Sequence, residues 1–177
     1  VFTLGLHNDI NFMRYLWGPI LTIKEVEQHI PLYQYALQLD FTKFEREDYE
    51  VKPYKGSDGM MHEWPSLVIR VLRKSLNSLD KSADKESIIT LLNLAIEHMA
   101  YLNESTYYLK WSIAKTYVML RELDKAQQMI LDLLQAKPNE FWLWNGLVNT
   151  IENDHLLALS CYCKSLLCQN RLQFNGA

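Results

Sequence analysis

The strongest constraint on the fold is a series of helical apolar patterns interrupted by one proline. Apolar residues recur at the spacing of one helix face across residues 108–120 and again across 126–134. Pro138 must end the second pattern, because proline cannot donate to the helical hydrogen-bond ladder and disfavours a helical residue before it. A third pattern starts at Phe141, with Asn139 as its predicted cap, and a fourth helix follows. Short turns between such helices predict antiparallel helix pairs.

The composition agrees with a fold built mainly from helices. The chain of 177 residues has only six glycines and five prolines, and 49% of its residues are hydrophobic. Leu, Lys, Glu and Ala are plentiful, and these residues favour helices. We therefore predict an all-α fold of stacked antiparallel helix pairs, in one continuous domain that is large enough to form its own core.

Charge and hydropathy restrict the partners of the chain. A formal charge of -3 gives no overall attraction to a phosphate backbone. No apolar run approaches the roughly 18 residues of a membrane span, and the N-terminus lacks the basic start of a signal peptide. We expect a cytoplasmic protein with no membrane contact. Because the chain begins with Val1, it is compatible with a segment of a longer protein.

Three cysteines lie close together in the last predicted helix: Cys161, Cys163 and Cys168. An odd number in one helix is no disulfide framework, which fits a reducing compartment. Helical spacing of about 100° per residue places Cys161 and Cys168 on one face and Cys163 nearly opposite, so the thiols do not converge on a metal. We predict a buried Cys161, no metal and no cofactor.

The C-terminal part also carries the signature of a known helical repeat. If Pro138 is the late proline of a unit of about 34 residues, the unit starts at Tyr107. The other signature positions are then Ile113, Ala114, Tyr117, Leu123, Ala126 and Ile130. A second unit starts at Phe141 with Trp144 and Leu147 in the matching places, and its later positions fit if its inter-helix turn is about two residues shorter than usual. Residues 107–177 therefore resemble two tetratricopeptide repeats.

Two further parts precede these repeats. Residues 65–106 predict a degenerate helix pair, with helices over 65–79 and 88–105. Residues 1–64 predict an irregular helical section that ends in an aromatic loop.

The N-terminal section combines helical signals with many rings. Thr22 with Glu25 predicts a capping box, and Pro31 predicts a break in that helix. Residues 40–64 lack a helical period and contain KGSDGMM, which predicts a hairpin turn. The loop contains five large rings, Phe41, Phe44, Tyr49, Tyr54 and Trp64. We expect them to pin the loop, because leaving such rings in water is costly.

The motifs of common catalytic sites do not occur. The sequence has no glycine-rich phosphate loop, no GxSxG, no HExxH and no CxxC pair. The five histidines are scattered and have no nucleophile or acid at a telling spacing. We therefore predict that this chain is not an enzyme.

The repeat resemblance implies a binding groove lined by the first helix of each unit. Carried over by position, the groove residues are Tyr108, Trp111, Lys115 and Val118 in the first unit, and Trp142, Asn145, Asn149 and Glu152 in the second. Rings, amides and a cation suit an extended peptide or a partner helix. Trp111 stands where some relatives have a lysine that clamps a C-terminal carboxylate. From the residue types of this groove, we expect the partner to be a protein or peptide segment of unknown identity. The alternative, that Trp111 and Trp142 only pack on neighbouring helices, stays open.

Two other hypotheses remain. A basic face formed by Arg70, Arg73, Lys74, Lys81 and Lys85, near the rings of Trp64 and Tyr54, is the basis of an alternative function in RNA or single-stranded nucleic-acid binding. Self-association is the other, because a terminal repeat without a polar cap exposes apolar surface.

Overall fold

The computed structural model describes residues 10–23, 25–80, 82–102 and 106–174, and within these ranges it describes side chains from residue 16 to residue 168. The chain divides into two compact units, Val1–Leu109 and Lys110–Ala177. Both are built mainly from helices, which confirms the predicted all-α class, and one short hairpin is the only sheet in the described ranges.

Three helices open the first unit: α1 (Ile10–Thr22), α2 (Val26–His29) and α3 (Leu32–Ala36). The break predicted at Pro31 is confirmed, since this residue lies between α2 and α3. The predicted capping box is wrong. Thr22 is the last residue of α1 and its hydroxyl donates to the Pro19 carbonyl at 2.6 Å, whereas Glu25 precedes α2 with a left-handed φ of 56° and makes no side-chain cap.

Two 3-10 turns and a β-hairpin follow α3. The turns are Phe41–Lys43 and Arg46–Tyr49, and the strands are β1 (Lys52–Lys55) and β2 (Met61–Trp64). The strands pair antiparallel, with Lys52 opposite Trp64 and Lys55 opposite Met61. Gly59, at a φ of 79°, supplies the left-handed residue that the turn needs, so the hairpin predicted from KGSDGMM is confirmed.

The predicted degenerate pair corresponds to α4 (Leu67–Asn77) and α5 (Lys85–Met99). Each helix begins at a side-chain cap, because Ser66 accepts from the Ile69 N–H and Asp84 accepts from the Ser87 N–H. α4 is central to the unit and packs against α1, α2, α3 and α5. The buried face of α4 consists of Val68, Ile69, Val71, Leu72, Ser75 and Leu76.

The remaining helices are α6 (Tyr107–Met119), α7 (Leu123–Ala136), α8 (Phe141–Val148) and α9 (His155–Phe174). α6 begins in the last residues of the first unit, and the others belong to the second unit. The predicted end before Pro138 is confirmed, because α7 ends at Ala136. The predicted cap is wrong by one residue: Glu140, not Asn139, precedes α8, and its side chain makes no cap bond.

The two helices of the second pair start closer together along the chain than those of the first pair. α7 begins 16 positions after the start of α6, whereas α9 begins 14 positions after the start of α8. The two-residue deficit is therefore present, but its predicted location is wrong. α8 has 8 residues against 13 in α6, and the connection after it, residues 149–154, is the longer one.

The core of the second unit contains four of the six signature positions predicted for the first repeat unit, whereas Tyr117 and Leu123 are half-buried. Ile113, Ala114, Ala126 and Ile130 are buried, together with Leu143 of α8. On α9, Cys161 and Cys168 are buried and Cys163 is exposed, as their helical spacing predicts. Burial raises the pKa of the Cys161 thiol. Among the described helices, none is long and apolar enough to span a membrane.

Candidate functional site

Two predicted groove residues, Trp111 of α6 and Trp142 of α8, are in direct contact. Their rings meet edge to face, with centroids 4.9 Å apart and an interplanar angle of 61°. The six-membered ring of Trp111 also covers Gly146, where a methyl group would collide with it. A glycine is therefore required in α8 for the Trp111 ring to lie against the helix backbone.

Each tryptophan also has a polar or charged neighbour. The Trp142 indole N–H donates to the Glu140 carboxylate at 2.8 Å, and the Lys115 ammonium lies 5.8 Å from the centroid of the Trp111 ring. Both rings are half-buried and Lys115 is exposed. The rings thus fix α6 against α8, and each leaves part of its surface exposed.

Exposed amides continue the same face of α8. Asn145 and Asn149 follow Trp142 by three and seven positions, which places them on its side of the helix. Asn149 is the last of these, because it is the C-cap. Glu152 lies in the connection to α9, so the helical position that the repeat pattern implies for it is wrong.

We define the α6–α8 face as Trp111, Lys115, Trp142, Asn145 and Asn149. Tyr108 lies one turn before Trp111 on α6 and is 51% exposed, and the Arg73 guanidinium lies 5.9 Å from the centroid of its ring. Val118, one position short of the end of α6, is half-buried.

The predicted basic face is engaged in contacts of the first unit. The Arg70 guanidinium lies 5.8 Å from the centroid of a Trp64 ring, and Arg73 lies over Tyr108. The Lys74 ammonium donates to the Glu27 carboxylate at 3.0 Å and to the Ile23 carbonyl at 3.2 Å. Lys85 is exposed in the first turn of α5, and Lys81 lies outside the described residues.

The ion pair of Lys74 with Glu27 is largely shielded from water. The two side chains are 12% and 21% exposed. Burial alone would raise the pKa of Glu27, but hydrogen bonds from its own backbone and from Lys74 outweigh this and lower it. Lys74 is thus committed to a contact between α4 and α2.

The first unit also contains a cluster of aromatic side chains that was not predicted from the sequence. Phe41, Phe44, Tyr49, His98 and Tyr101 surround a cleft of about 430 Å³, which we call the aromatic cleft. His98 is only 8% exposed, its imidazole centroid lies 4.8 Å from that of Phe41, and its Nδ1 lies 2.8 Å from the Tyr49 hydroxyl. The expectation that five rings pin the loop holds for Phe41, Phe44 and Tyr49, whereas Tyr54 and Trp64 are exposed. Nothing local to His98 indicated that it would contact Phe41 and Tyr49.

Leucines line an exposed stripe of α9. Leu156, Leu159 and Leu166 are 76%, 58% and 59% exposed, and exposed Cys163 continues their spacing. Steps of three and four residues place all four on one side of the helix. No cluster of three metal-binding side chains occurs in the described ranges.

Comparison with known proteins finds a family model that matches part of the chain. Residues 107–176 match a family model described as a domain of unknown function (DUF7017), which covers less than half of the chain. The matched range begins at the first residue of α6 and takes in α7 and α8. No curated protein and no solved structure matches the chain.

Proposed function

We propose that the α6–α8 face binds a protein or peptide segment, and that the chain acts as a non-catalytic scaffold within a larger cytoplasmic protein or complex. The observation that supports this best is the contact of Trp111 with Trp142 beside exposed Lys115 and Asn145. The resemblance of residues 107–177 to tetratricopeptide repeats points to the same helices.

The residue types on this face suit an extended peptide. Indole rings bury a large area at low cost in side-chain entropy, and tryptophan is common at the energetic centre of interfaces. The amides of Asn145 and Asn149 can both donate to and accept from a peptide backbone. The Lys115 ammonium favours a carboxylate on the bound segment. We therefore expect an extended, acidic or neutral segment.

Site-specific photo-crosslinking in cell lysate tests this proposal. A benzophenone amino acid replaces Asn145 in one protein and Gln135, an exposed residue of α7, in the control protein. The proposal predicts one peptide adduct at Asn145 that is absent at Gln135. Lys115→Glu should reduce this adduct at least about 10-fold, whereas Gln135→Glu should not. Equal labelling at both positions, or an adduct indifferent to Lys115→Glu, would contradict the proposal.

Nucleic-acid binding through the basic face has weaker support. Arg70, Arg73 and Lys74 each have a contact within the first unit that a phosphate would have to replace or share. Phosphate binding releases counterions, so a real interaction with single-stranded RNA should weaken steeply between about 50 and 200 mM salt. Fluorescence anisotropy with a labelled oligonucleotide measures this, and no binding at the lower salt would exclude the alternative.

A further inference from the structure

We propose that the aromatic cleft of the first unit is a binding site for a methylated ammonium group, such as a trimethylated lysine side chain or a choline headgroup. This site uses none of the α6–α8 face, so it stands or falls separately from the function proposed above. The two sources share one chemistry, a cation covered by methyl groups.

Tyr49 and His98 lie nearly parallel, with an interplanar angle of 29° and centroids 6.0 Å apart, and Tyr101 is inclined to both rings. Tyr101 meets Tyr49 at 73° with centroids 6.4 Å apart, and it meets His98 at 51° and 6.1 Å. Phe44 stacks on buried Phe41 at 5.0 Å and extends that wall toward the solvent. A compact, roughly spherical group can contact the inclined face of Tyr101 and the neighbouring rings at once, whereas a flat group can stack on only one of these faces.

The charges around the cleft favour a cation. Glu97 lines the cleft and its carboxylate side chain is exposed. The guanidinium of Arg46, which also lines it, is paired with Glu50 at 2.9 Å, and this offsets its positive charge. Burial lowers the pKa of His98, so its imidazole is neutral near pH 7. The faces of the aromatic rings add a negative electrostatic potential.

Methylation makes a cation suitable for this cleft. A free ammonium is strongly hydrated and loses three hydrogen bonds to water when it enters a cleft walled by rings. Methyl groups remove those donors, spread the charge and supply apolar surface against the rings, so the dehydration cost falls while the attraction to the ring faces remains. We therefore expect selectivity for the methylated form rather than for positive charge alone.

Four small probes separate these contributions. They are N-acetyl-trimethyllysine methylamide, its unmethylated lysine counterpart, the neutral analogue with a tert-butyl group in place of the trimethylammonium, and phosphocholine. Each is titrated into the whole chain, with binding measured by NMR chemical shifts. We expect the trimethyllysine probe to bind at least about 10-fold more tightly than the unmethylated lysine probe and the neutral tert-butyl analogue. Equal affinity of the neutral analogue, or no shift with either trimethyllysine or phosphocholine at about 10 mM, would overturn the proposal.

Two exposed residues provide variants that should remain folded. Tyr101 is 63% exposed, so Tyr101→Ala removes a wall with little effect on the core, and Glu97→Gln removes the carboxylate. We expect Tyr101→Ala to weaken the trimethyllysine probe about 10-fold and Glu97→Gln about 3-fold. Tyr54→Ala, which removes an exposed ring of the hairpin, is the control and should leave affinity unchanged. Unchanged affinity in both cleft variants would also overturn the proposal.

The phosphocholine arm identifies the source of the ligand. Tighter binding of phosphocholine than of trimethyllysine would support the site and assign it to a lipid-type headgroup. Tighter binding of trimethyllysine would support the site and assign it to a modified protein tail.

Discussion

The Tyr49 hydroxyl lies 2.8 Å from Nδ1 of His98, and this contact joins the second 3-10 turn to α5. The hydroxyl donates to Nδ1 when the imidazole is neutral with its proton on Nε2. Because His98 is buried, its ring nitrogen has little access to water. The hydrogen bond therefore anchors the aromatic loop at one defined point of the helical part of the first unit.

Tyr49→Phe should lower the free energy of unfolding by about 1–2 kcal/mol, because it removes this bond and leaves a buried acceptor unsatisfied. Urea denaturation measures the change. Tyr54→Phe is the matched control, since Tyr54 is exposed on β1, and it should change the free energy of unfolding by less than about 0.5 kcal/mol. A loss no larger than that of the control would show that the contact does not anchor the loop.

Stability should also depend on the charge of His98. Burial lowers its pKa and the nearby Glu97 charge only partly opposes this, so below the ordinary histidine pKa of about 6.5 the unfolded chain binds the proton more strongly than the folded chain. The free energy of unfolding should be fully retained above about pH 7 and should fall as the pH drops from about 7 towards 5.5.

The variant His98→Gln tests this pH dependence, because glutamine does not titrate. Its stability should be lower at pH 7.5 but should fall less steeply between pH 7.5 and 5.5, as measured by urea midpoints. The other titratable groups at the cleft are common to both proteins: Arg46, Tyr49, Glu97 and Tyr101. Parallel pH profiles for the two proteins would assign the acid sensitivity to other groups.

Gly146→Ala should destabilise the protein by about 1–3 kcal/mol, because the added methyl group would overlap the ring of Trp111 and force it to move. Gly18→Ala is the control, since a methyl group at Gly18 in α1 meets no atom within 4 Å and alanine favours the helix. Thermal unfolding compares the two variants.

A double-mutant cycle can assign the collision to this ring. Trp111→Phe removes the outer indole atoms that lie over Gly146, so Gly146→Ala should cost much less in that background than in the native one. Additive losses would place the strain elsewhere in α8.

Arg121→Gly should raise the free energy of unfolding by about 0.5–1 kcal/mol. Arg121 follows α6 with a left-handed φ of 61°, a conformation that costs a side-chain-bearing residue more than it costs glycine. Lys137→Gly at the end of α7 is the control, because its φ of -139° gives glycine no such advantage. Equal effects of the two substitutions would contradict this account.

Helices α4 to α9 could be predicted from the sequence, because apolar spacing marks them and a proline or a polar turn marks most of their ends. Helix α1 was not predicted, because the capping-box pattern places Thr22, which ends it, at the start of a helix. The early end of α8 could not be predicted either, since the apolar pattern continues to Ile151. Its last turn instead closes through short-range bonds, from the Asn149 N–H to the Gly146 carbonyl and from the Thr150 hydroxyl to the Leu147 carbonyl. Such local competition with the helical ladder leaves no signal in the periodicity.

The two candidate sites also differ in how far they could be predicted from the sequence. Trp111 and Trp142 were both predicted as groove residues from the repeat resemblance, although their direct contact was not predicted. The pairing of Tyr49 with His98 could not be predicted, because the contact joins residues 49 positions apart and His98 looks like any polar residue of an amphipathic helix. Only the tertiary packing of the loop makes it the centre of a group of rings.

The exposed stripe of α9 bears on the self-association hypothesis. Leu156, Leu159, Cys163 and Leu166 follow steps of three, four and three residues, the spacing of a helix-pairing seam. If two copies pair through this stripe, the sedimentation coefficient should rise with concentration, and Leu159→Lys should abolish the rise without changing the helical content, because Leu159 is exposed. Gln128→Lys on α7 is the control. A coefficient that stays constant up to about 100 μM would exclude pairing tight enough to matter at cellular concentrations.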